Sequence, residues 1–479
     1  ALPSLRRRLR GRRLRAQRAW ARGAGAPRGL LLLRSLLQRP GSCVRAIEFS
    51  LRRLLTAIPA CDPSFLSGAV LDEGGRAMAK LSQAQRLQQA NEEEALAFFE
   101  EALANLPEPR RRQGIRYPLP SVVVTGLMAM VCGADDAQAM EEWGKANDEW
   151  LAGVLEMPHG PPTQDVFLAV FGALDPEAFG AVFRGWVSLL SQRLAEEGRH
   201  IAIDGKTSRR SFDRDKEQPA IHTVSAWLSD VGLVLGQLKT GVKSNEIKAI
   251  PELLRVLDLR NATITIDAMG CQTEIAQTLR EGEGHYLLAV KENQPTLCQD
   301  IAETFREASD VRRRSVDEVP RPTVEICEET EKGHGRLEKR TVALCRDLTW
   351  QTTADRWTDL DFVVQVTRER TVLATARTST ETAYYIGSDP AATAERAAQL
   401  IRRHWSIENQ LHWVLDVAFR EDDARHRARN TAQNLATMRH FAMNIIKRDP
   451  DRKLGVANSR KRAGWDRRYL IRLLTAPEV

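Results

Sequence analysis

Two aspartates close short apolar runs in the middle of the chain. His200-Ile201-Ala202-Ile203 leads into Asp204, and Ala262-Thr263-Ile264-Thr265-Ile266 leads into Asp267. Ligands of α/β sheets usually bind at strand ends, and a carboxylate beside a core strand is costly unless it is paired or binds a metal. Two such carboxylates on adjacent strands would repel each other, and a divalent cation such as Mg²⁺ would relieve that repulsion. The alternative is that each aspartate caps a turn, for which Asp204-Gly205 is a suitable dipeptide.

A two-metal site needs a third carboxylate, and Glu408 is the best candidate. An apolar stripe runs along its predicted helix through Ile407, Leu411, Val414, Leu415 and Ala418. Glu408 lies at the border of that stripe and would face a cleft at the sheet edge. His404, Glu408 and His412 are spaced i, i+4, i+8, so a zinc-binding stripe is one alternative, and a solvated glutamate is another. Weaker acidic candidates are Asp416, Asp422 and Asp423.

Basic side chains accompany these carboxylates along the chain, at Lys206, Arg209, Arg210, Lys243 and Lys291. Together they could neutralise the phosphates of DNA, although each one alone could be a solvated surface charge. Trp405 and Trp413 flank Glu408. We interpret these two tryptophans as packing residues rather than as platforms on which bases stack.

The net charge of the chain is unevenly distributed. The 479 residues carry 70 Lys and Arg against 63 Asp and Glu, a formal charge of +7, with 43% hydrophobic residues. Those proportions exclude a disordered or a fibrous chain. Residues 1–77 hold 16 Arg, no Lys and four acids, so that segment is +12 and residues 78–479 are −5. Any nucleic-acid surface in the larger part must therefore be a local patch rather than a global field.

The seven cysteines are scattered and form no CxxC pair. This pattern predicts neither a zinc ribbon nor a disulfide scaffold, and it is typical of a reducing, cytoplasmic setting. The longest apolar run, Val122–Cys132, is too short to span a bilayer. We therefore expect a cytoplasmic protein without a membrane segment.

Composition and periodicity divide the chain into four regions. Residues 1–77 form an Arg-rich segment without regular periodicity, interpreted as a disordered basic arm or as sequence upstream of a true start at Met78. Residues 82–198 are predicted to be helical, with Asp136 as a possible helix cap. Residues 199–447 alternate strands and helices, which indicates a mixed α/β sheet, with a β-rich insertion at about 305–387. Residues 448–479 are expected to be a basic C-terminal tail.

Five ordered motifs resemble one protein family. They are Ile203-Asp204-Gly205-Lys206, Lys243-Ser244-Asn245-Glu246, Asp267-Ala268-Met269, Lys291-Glu292-Asn293-Gln294 and His404-Trp405-Ser406-Ile407-Glu408-Asn409. This set is similar to the DDE transposases of the ISAs-type insertion sequences, also called H-repeat-associated proteins. The preceding helical segment resembles the domain that accompanies that catalytic core, through Pro107-Glu108-Pro109-Arg110 and Tyr117-Pro118-Leu119-Pro120. The resemblance covers about residues 85–475.

The resemblance implies an α/β fold, namely a ribonuclease H-like catalytic core with a β-rich insertion, preceded by an all-helical domain. It implies Mg²⁺-dependent cleavage and strand transfer at terminal inverted repeats of double-stranded DNA, with two Mg²⁺ ions (or Mn²⁺) and a homodimer on DNA. Asp204, Asp267 and Glu408 match the catalytic and metal-binding triad. The motifs and their basic residues nominate as DNA-contacting residues Lys206, Arg209, Lys243, Asn245, Lys291, Asn293, His404, Asn409 and His412.

The chain departs from related transposases on the last catalytic helix. They carry a Tyr, Arg, Glu, Lys signature, whereas Ile401, His404 and Leu415 occupy three of those positions here. Three functions therefore compete: an active transposase, a DNA-binding remnant that no longer cuts, and a general ribonuclease H-like nuclease without end specificity. The intact Asp, Asp, Glu set favours the first.

Overall fold

The computed structural model describes residues 101–111, 115–191, 199–211, 220–240, 246–309, 322–333, 335–426, 428–449 and 454–474. The Arg-rich segment 1–77 and the predicted DNA-contacting residues Lys243 and Asn245 lie outside these ranges.

Helices fill the region between residues 119 and 191, as its periodicity predicts. They are α1 (Leu119–Val131), α2 (Ala137–Ala146), α3 (Asp148–Val154), α4 (Gln164–Ala173) and α5 (Pro176–Ser191). Asp136 caps α2, because its side chain accepts a hydrogen bond from the backbone N–H of Ala139 at 2.8 Å. Ahead of α1, the Arg110 guanidinium donates to Glu108 and to the carbonyl of Tyr117. The two family-like motifs that precede α1 therefore hold each other in place.

The apolar helices of this region are core helices. α1 is buried almost throughout, and the aromatic side chains of Phe167, Phe171, Phe179 and Phe183 are fully buried. No single helix in the described part of the chain is long and apolar enough to cross a membrane. The bent pair Gln164–Ala173 and Pro176–Leu190 meets that test only by length and composition, with an angle of 91° between its helices.

A nine-stranded mixed sheet forms the centre of the α/β region. Its strands are β1 (Arg199–Thr207), β2 (His222–Leu228), β3 (Leu233–Thr240), β4 (Ala262–Ile266), β5 (His285–Val290), β6 (Val324–Gly333), β7 (Arg336–Cys345), β8 (Phe362–Val372) and β9 (Arg377–Gly387). Their order across the sheet is β3-β2-β1-β4-β5-β9-β8-β7-β6. β1, β4 and β5 run parallel to one another, and the other pairs are antiparallel. The predicted mixed α/β class is confirmed.

The connections between these strands follow the sequence signals. β2 and β3 form the predicted hairpin, in which Gly232 adopts a left-handed φ of +77° that suits glycine. Three helices cross over between later strands: α6 (Glu246–Arg255), α7 (Thr273–Glu281) and α8 (Pro295–Ser309). All five residues of β4 are buried, as expected for a parallel strand covered on both faces.

The predicted β-rich insertion continues the main sheet. β9 pairs with β5, and β8, β7 and β6 follow outward. α8 extends to Ser309 and the first strand of this part begins at Val324, whereas residues 310–321 lie outside the described ranges. The pairing of β9 with β5 joins segments that are far apart in the sequence. The alternation of side chains within either strand does not predict that partner.

Helices complete the chain after the sheet. They are α9 (Ala394–His404), a π-helical turn (Glu408–His412), α10 (Trp413–Phe419), α11 (Thr431–Lys447), α12 (Val456–Trp465) and α13 (Arg467–Leu474). The expected basic tail is therefore a pair of helices over its described residues. Arg460 on α12 is buried, and its guanidinium donates to the Met130 carbonyl and to Asp135. Those bonds fasten the C-terminal helices to the end of α1.

Candidate active site

The strand register brings Asp204 and Asp267 side by side. β1 and β4 run parallel with Ile203 opposite Ile266, so the next residues, Asp204 and Asp267, occupy neighbouring positions at the same edge. Strands in a sheet lie about 4.8 Å apart. The two aspartates therefore occupy neighbouring positions on adjacent strands, although β1 itself continues to Thr207.

The turn-capping alternative is wrong for Asp204 and right for Asp267. Asp204 pairs with Ser225 inside the β1–β2 ladder, so it lies in a strand and not in a turn. The Oδ1 atom of Asp267 accepts hydrogen bonds from the backbone N–H groups of Met269 at 3.1 Å and Gly270 at 3.3 Å. These bonds cap a 3₁₀ turn and fix the orientation of the carboxylate.

Glu408 begins the π-helical turn that joins α9 to α10. Its side chain is exposed, while Ile407, Leu411 and Leu415 are buried as the predicted stripe requires. π-turns inside helices occur frequently at functional sites, because the extra residue changes the direction of the side chains that follow. Here the turn presents Glu408 to the surface and directs His412 inward.

The charges of neighbouring acids act on Asp204 and Asp267. Burial raises the pKa of Asp204 to about 7, and the charges of Asp267, Glu408 and Glu246 raise it further. Burial, followed by the charge of Glu246, also raises the pKa of Asp267, while Lys291 acts in the opposite direction. These acids are therefore close enough for their charges to interact, and each ionised form destabilises the others.

The donor set fits a hard divalent cation. Carboxylate oxygens from Asp204, Asp267 and Glu408 are the ligands that Mg²⁺ and Mn²⁺ prefer, and a cation would offset the repulsion that raises the pKa of Asp204. In the described part of the chain, no three His, Cys, Asp or Glu side chains are already arranged around a common metal position.

The two histidines of the predicted zinc stripe have separate partners. His412 is buried, and its Nδ1 atom lies 3.4 Å from Oδ2 of Asp204. His404 Nδ1 is hydrogen-bonded to Oγ1 of Thr265 at 2.9 Å, and the same hydroxyl contacts His200 Nε2 at 2.8 Å. Burial lowers the pKa of both His404 and His412 to about 4. Both imidazoles are therefore neutral at pH 7. His404 contacts β4 through Thr265 and His412 contacts Asp204, so neither is directed at the surface.

Lys206 is enclosed by acidic residues. Its ammonium donates to Oδ1 of Asp416 at 2.6 Å and lies 3.0 Å from Oε2 of Glu421 and 3.5 Å from Oδ1 of Asp422. Burial acts to lower the pKa of Lys206, but Glu421 and Asp416 outweigh it and the pKa is raised. Lys206, which the sequence predicted to contact DNA, therefore forms ion pairs that link β1 to the segment after the π-turn.

Other predicted DNA-contacting residues lie at the surface. Arg209 is exposed, with Nε 3.4 Å from Asp422, and Lys291 is exposed at the end of β5. The Asn293 side chain donates to the carbonyl of Ala268 at 2.6 Å, which ties the turn after β5 to the turn after Asp267. Asn409 is exposed beside Glu408.

Sequence reasoning missed one carboxylate and misjudged two aromatic residues. Glu246 is the first residue of α6 and is only 5% exposed, yet its charge acts on both aspartates. The signal was its place in the Lys243–Glu246 motif. Trp405 and Trp413 are 48% and 61% exposed, so their interpretation as packing residues was wrong.

Comparison with known proteins agrees with this architecture. The family model for the "Transposase DDE domain" matches residues 195–445, and the "DDE_Tnp_1-associated" model matches residues 100–187. The chain belongs to the DDE transposase family. The boundary between the two matched regions falls just ahead of β1, where the helical part gives way to the sheet.

Two relatives that align with this chain over nearly all of their own length are named as transposases. The "H repeat-associated putative transposase YhhI" of Escherichia coli (strain K12) is 34% identical over 382 residues, which cover 78% of this chain and 97% of the relative. The "Putative transposase YncI" of Escherichia coli O157:H7 is 35% identical over 381 residues, covering 78% and 93%. A piggyBac transposase synaptic complex with hairpin DNA covers 83% of this chain at 13% identity and a TM-score of 0.33, a similarity too low to support an argument.

Proposed function

We propose that this transposase is active: it binds the terminal inverted repeats of an insertion sequence and catalyses metal-dependent DNA cleavage and strand transfer. The observation that carries the proposal is the convergence of Asp204, Asp267 and Glu408. They come from β1, the turn after β4 and the π-turn, and the charges of Asp267 and Glu408 both act on Asp204. Three distant segments thus each supply one of the acids, and this supports their assignment to a single site.

The strand order supports a ribonuclease H-like core within the observed α/β sheet. The succession β3-β2-β1-β4-β5, with β1 to β3 antiparallel and β4 and β5 parallel to β1, is the arrangement that such a core requires. Asp204 on the central strand and Asp267 on its parallel neighbour then occupy the two sheet positions of the triad.

The carboxylates of Asp204, Asp267 and Glu408 would hold two Mg²⁺ ions, or two Mn²⁺ ions in their place. When bound there, such ions activate water or a 3′-hydroxyl for attack on a phosphodiester and stabilise the leaving oxygen. The protein's own part is positioning. His412 contacts Asp204, the Asp267 carboxylate is fixed by two backbone N–H groups, and Lys206 fastens β1 to α10.

Exposed residues around Glu408 would contact the DNA. Arg209 and Lys291 offer positive charge at the surface, and phosphate contacts of this kind give sequence-independent affinity. The exposed rings of Trp405 and Trp413 offer faces on which bases can stack. The substrates would be double-stranded DNA at the element's ends and target DNA, bound by a homodimer that brings two ends together.

Cleavage and binding assays on the DNA that flanks the gene test the proposal. Asp204→Ala, Asp267→Ala and Glu408→Ala should each abolish Mg²⁺-dependent cleavage while leaving gel-shift affinity for the end sequences largely intact, because the acids bind cation rather than DNA. The exposed Asp165 on α4 provides a matched control, and Asp165→Ala should cut normally.

The assays also separate the competing functions. Binding of the end sequences without cleavage by the wild-type chain, in Mg²⁺ as in Ca²⁺, would identify a DNA-binding remnant. Cleavage without preference for the end sequences would identify a general nuclease. Residual metal-dependent nicking by the Asp267→Ala protein would refute the proposed triad.

A further inference from the structure

The two C-terminal helices carry a concentration of positive charge that the candidate active site does not use. Residues 454–474, which hold α12 and α13, contain six Lys and Arg against one Asp, so this stretch is +5. Because residues 78–479 are −5 in total, the remainder of that part of the chain is −10. A local excess of this size is what a nucleic-acid surface in an otherwise acidic chain requires.

The exposed part of that charge lies on one short stretch. Lys461 and Trp465 are spaced i, i+4 on the exposed face of α12, and Arg467 and Arg468 are exposed in the first turn of α13. Trp465 is 83% exposed, the highest fraction among the large apolar side chains of the described residues. Trp and Arg together are typical of binding surfaces. We call these four residues the C-terminal patch.

Two charges of the C-terminal patch are not neutralised by the described part of the protein. No acid there forms an ion pair with Lys461 or Arg467. Arg467 instead donates to Oδ1 of Asn147 at 3.3 Å and lies over the ring of Trp150, 5.0 Å from its centre. The acid between the two helices, Asp466, accepts hydrogen bonds from two backbone N–H groups of α13 and caps that helix. Lys461 and Arg467 are therefore available to an external anion.

Buried contacts join the C-terminal patch to the helix that carries Glu408. Arg460 lies behind the patch on α12. Its guanidinium donates to the carbonyl of Ala418 and lies 4.1 Å from the centre of the Phe419 ring. The helix runs without a break from Glu408 to Phe419, and eleven residues span about 16 Å. A duplex covers that distance in about five base pairs, so a single DNA molecule is long enough to reach from Glu408 to the patch.

We propose that the C-terminal patch binds the backbone of double-stranded DNA, with Lys461, Arg467 and Arg468 at phosphates and the Trp465 ring against the deoxyribose beside them. The inference rests on the proposed function for its choice of partner, and it adds a contact with the duplex away from the metal site. Phosphate contacts of Lys and Arg position a duplex without reading its sequence. The patch therefore binds the element's ends and other duplexes alike.

Binding of a labelled duplex of arbitrary sequence to the full chain, measured in a chelator over a series of salt concentrations, tests the inference. Each phosphate contact contributes about 0.9 to the slope of log Kd against log salt. Lys461→Gln/Arg467→Gln should therefore lower the slope by about 1.8 and weaken binding at low salt about tenfold or more. The control Lys248→Gln/Arg255→Gln, which removes two exposed charges from α6, should leave the slope and the affinity unchanged.

Two single variants separate the aromatic contact from the charges. Trp465→Ala should weaken binding at least about fivefold and leave the salt slope unchanged, because no charge is removed. Lys461→Gln alone should lower the slope by about 0.9. Since Lys461 has no hydrogen bond or ion pair within the described residues, this variant keeps the test decisive even if the double variant is less stable.

An unchanged slope in Lys461→Gln and in the double variant, or an equal loss in the control, would overturn the inference. Unchanged duplex affinity together with lost binding to vesicles of anionic phospholipid would also overturn it, and would identify a membrane surface. These results are independent of cleavage. If the wild type does not cleave and the slope falls as expected, the proposed catalysis is wrong and the patch is not. If Asp204→Ala abolishes cleavage and the slope is unchanged, only the patch is wrong.

Discussion

Asp204 is the residue whose chemistry depends most on its surroundings. The folded chain raises its pKa from an ordinary 3.8 to about 7, first through burial and then through the neighbouring acids. The protonated form is therefore favoured in the cation-free fold at mildly acidic pH. A cation bound at the proposed site would compete with that proton, so its binding would depend on pH.

The raised pKa gives a prediction about stability. A carboxyl whose folded pKa exceeds its unfolded value stabilises the fold fully below about pH 3.8, and this contribution is lost as pH rises toward 7. In a chelator, the unfolding midpoint of Asp204→Asn relative to the wild type should therefore rise between pH 4 and pH 7, because the amide cannot ionise. Urea unfolding at a series of pH values measures the difference, and a difference independent of pH would contradict it.

At the scale of elements, ion pairs bind the strand that carries Asp204 to the helices that follow Glu408. Lys206 on β1 bridges Asp416 on α10 and Glu421 in the next turn, and Arg439 on α11 lies 3.8 Å from the same glutamate. The sheet edge and the π-turn are therefore joined by charges separated by more than 200 residues in the sequence.

Removing the ion pairs of Lys206 should lower the free energy of unfolding more than it lowers the affinity for DNA. Lys206→Met leaves the buried Glu421 without its main partner, and breaking such a pair costs about 3 kcal/mol. Denaturant unfolding of Lys206→Met and of the control Lys248→Met, an exposed lysine on α6, measures the difference. Unchanged stability together with a large loss of gel-shift affinity would instead support the DNA-contacting role predicted from the sequence.

At the scale of the whole molecule, α11 unites the two family-matched regions. It packs against α1, α4 and α5 on the helical side and against β3 on the sheet side. Two buried asparagines on it bond across both contacts: Asn434 donates to the carbonyls of Phe171 and Leu174, and Asn444 exchanges two hydrogen bonds with the backbone of Val234. The helical region and the sheet therefore share one core.

A shared core should unfold as one unit. Asn434→Ala removes the side-chain donor of the Phe171 carbonyl and leaves the Leu174 carbonyl with only the bond from Asn430, at a cost of about 1–3 kcal/mol. Hydrogen exchange should then quicken in β3 as well as in α4, because both pack on the same helix. The half-buried neighbour Gln433 is the control, and quickening confined to α4 would contradict a cooperative core.

The net charge of the whole chain does not show which part of it binds DNA. The excess of Arg lies in residues 1–77, whereas residues 78–479 are net −5. The acids of this larger part include Asp204, Asp267 and Glu408, the residues of the proposed metal site. A net negative charge is compatible with the proposed DNA cleavage, because a bound cation and local basic residues would supply the attraction.

The sequence by itself determined the mixed α/β class and nominated the three acids of the proposed site. Apolar runs that end in Asp204 and Asp267 are local signals, and the stripe beside Glu408 has a clear helical period. The tertiary structure alone decided the surroundings. Lys206 is paired with Asp416, 210 residues away, and Glu246 is buried against His222 of β2. Burial, pairing and shared electric field arise between distant segments, and no local pattern encodes which segments meet.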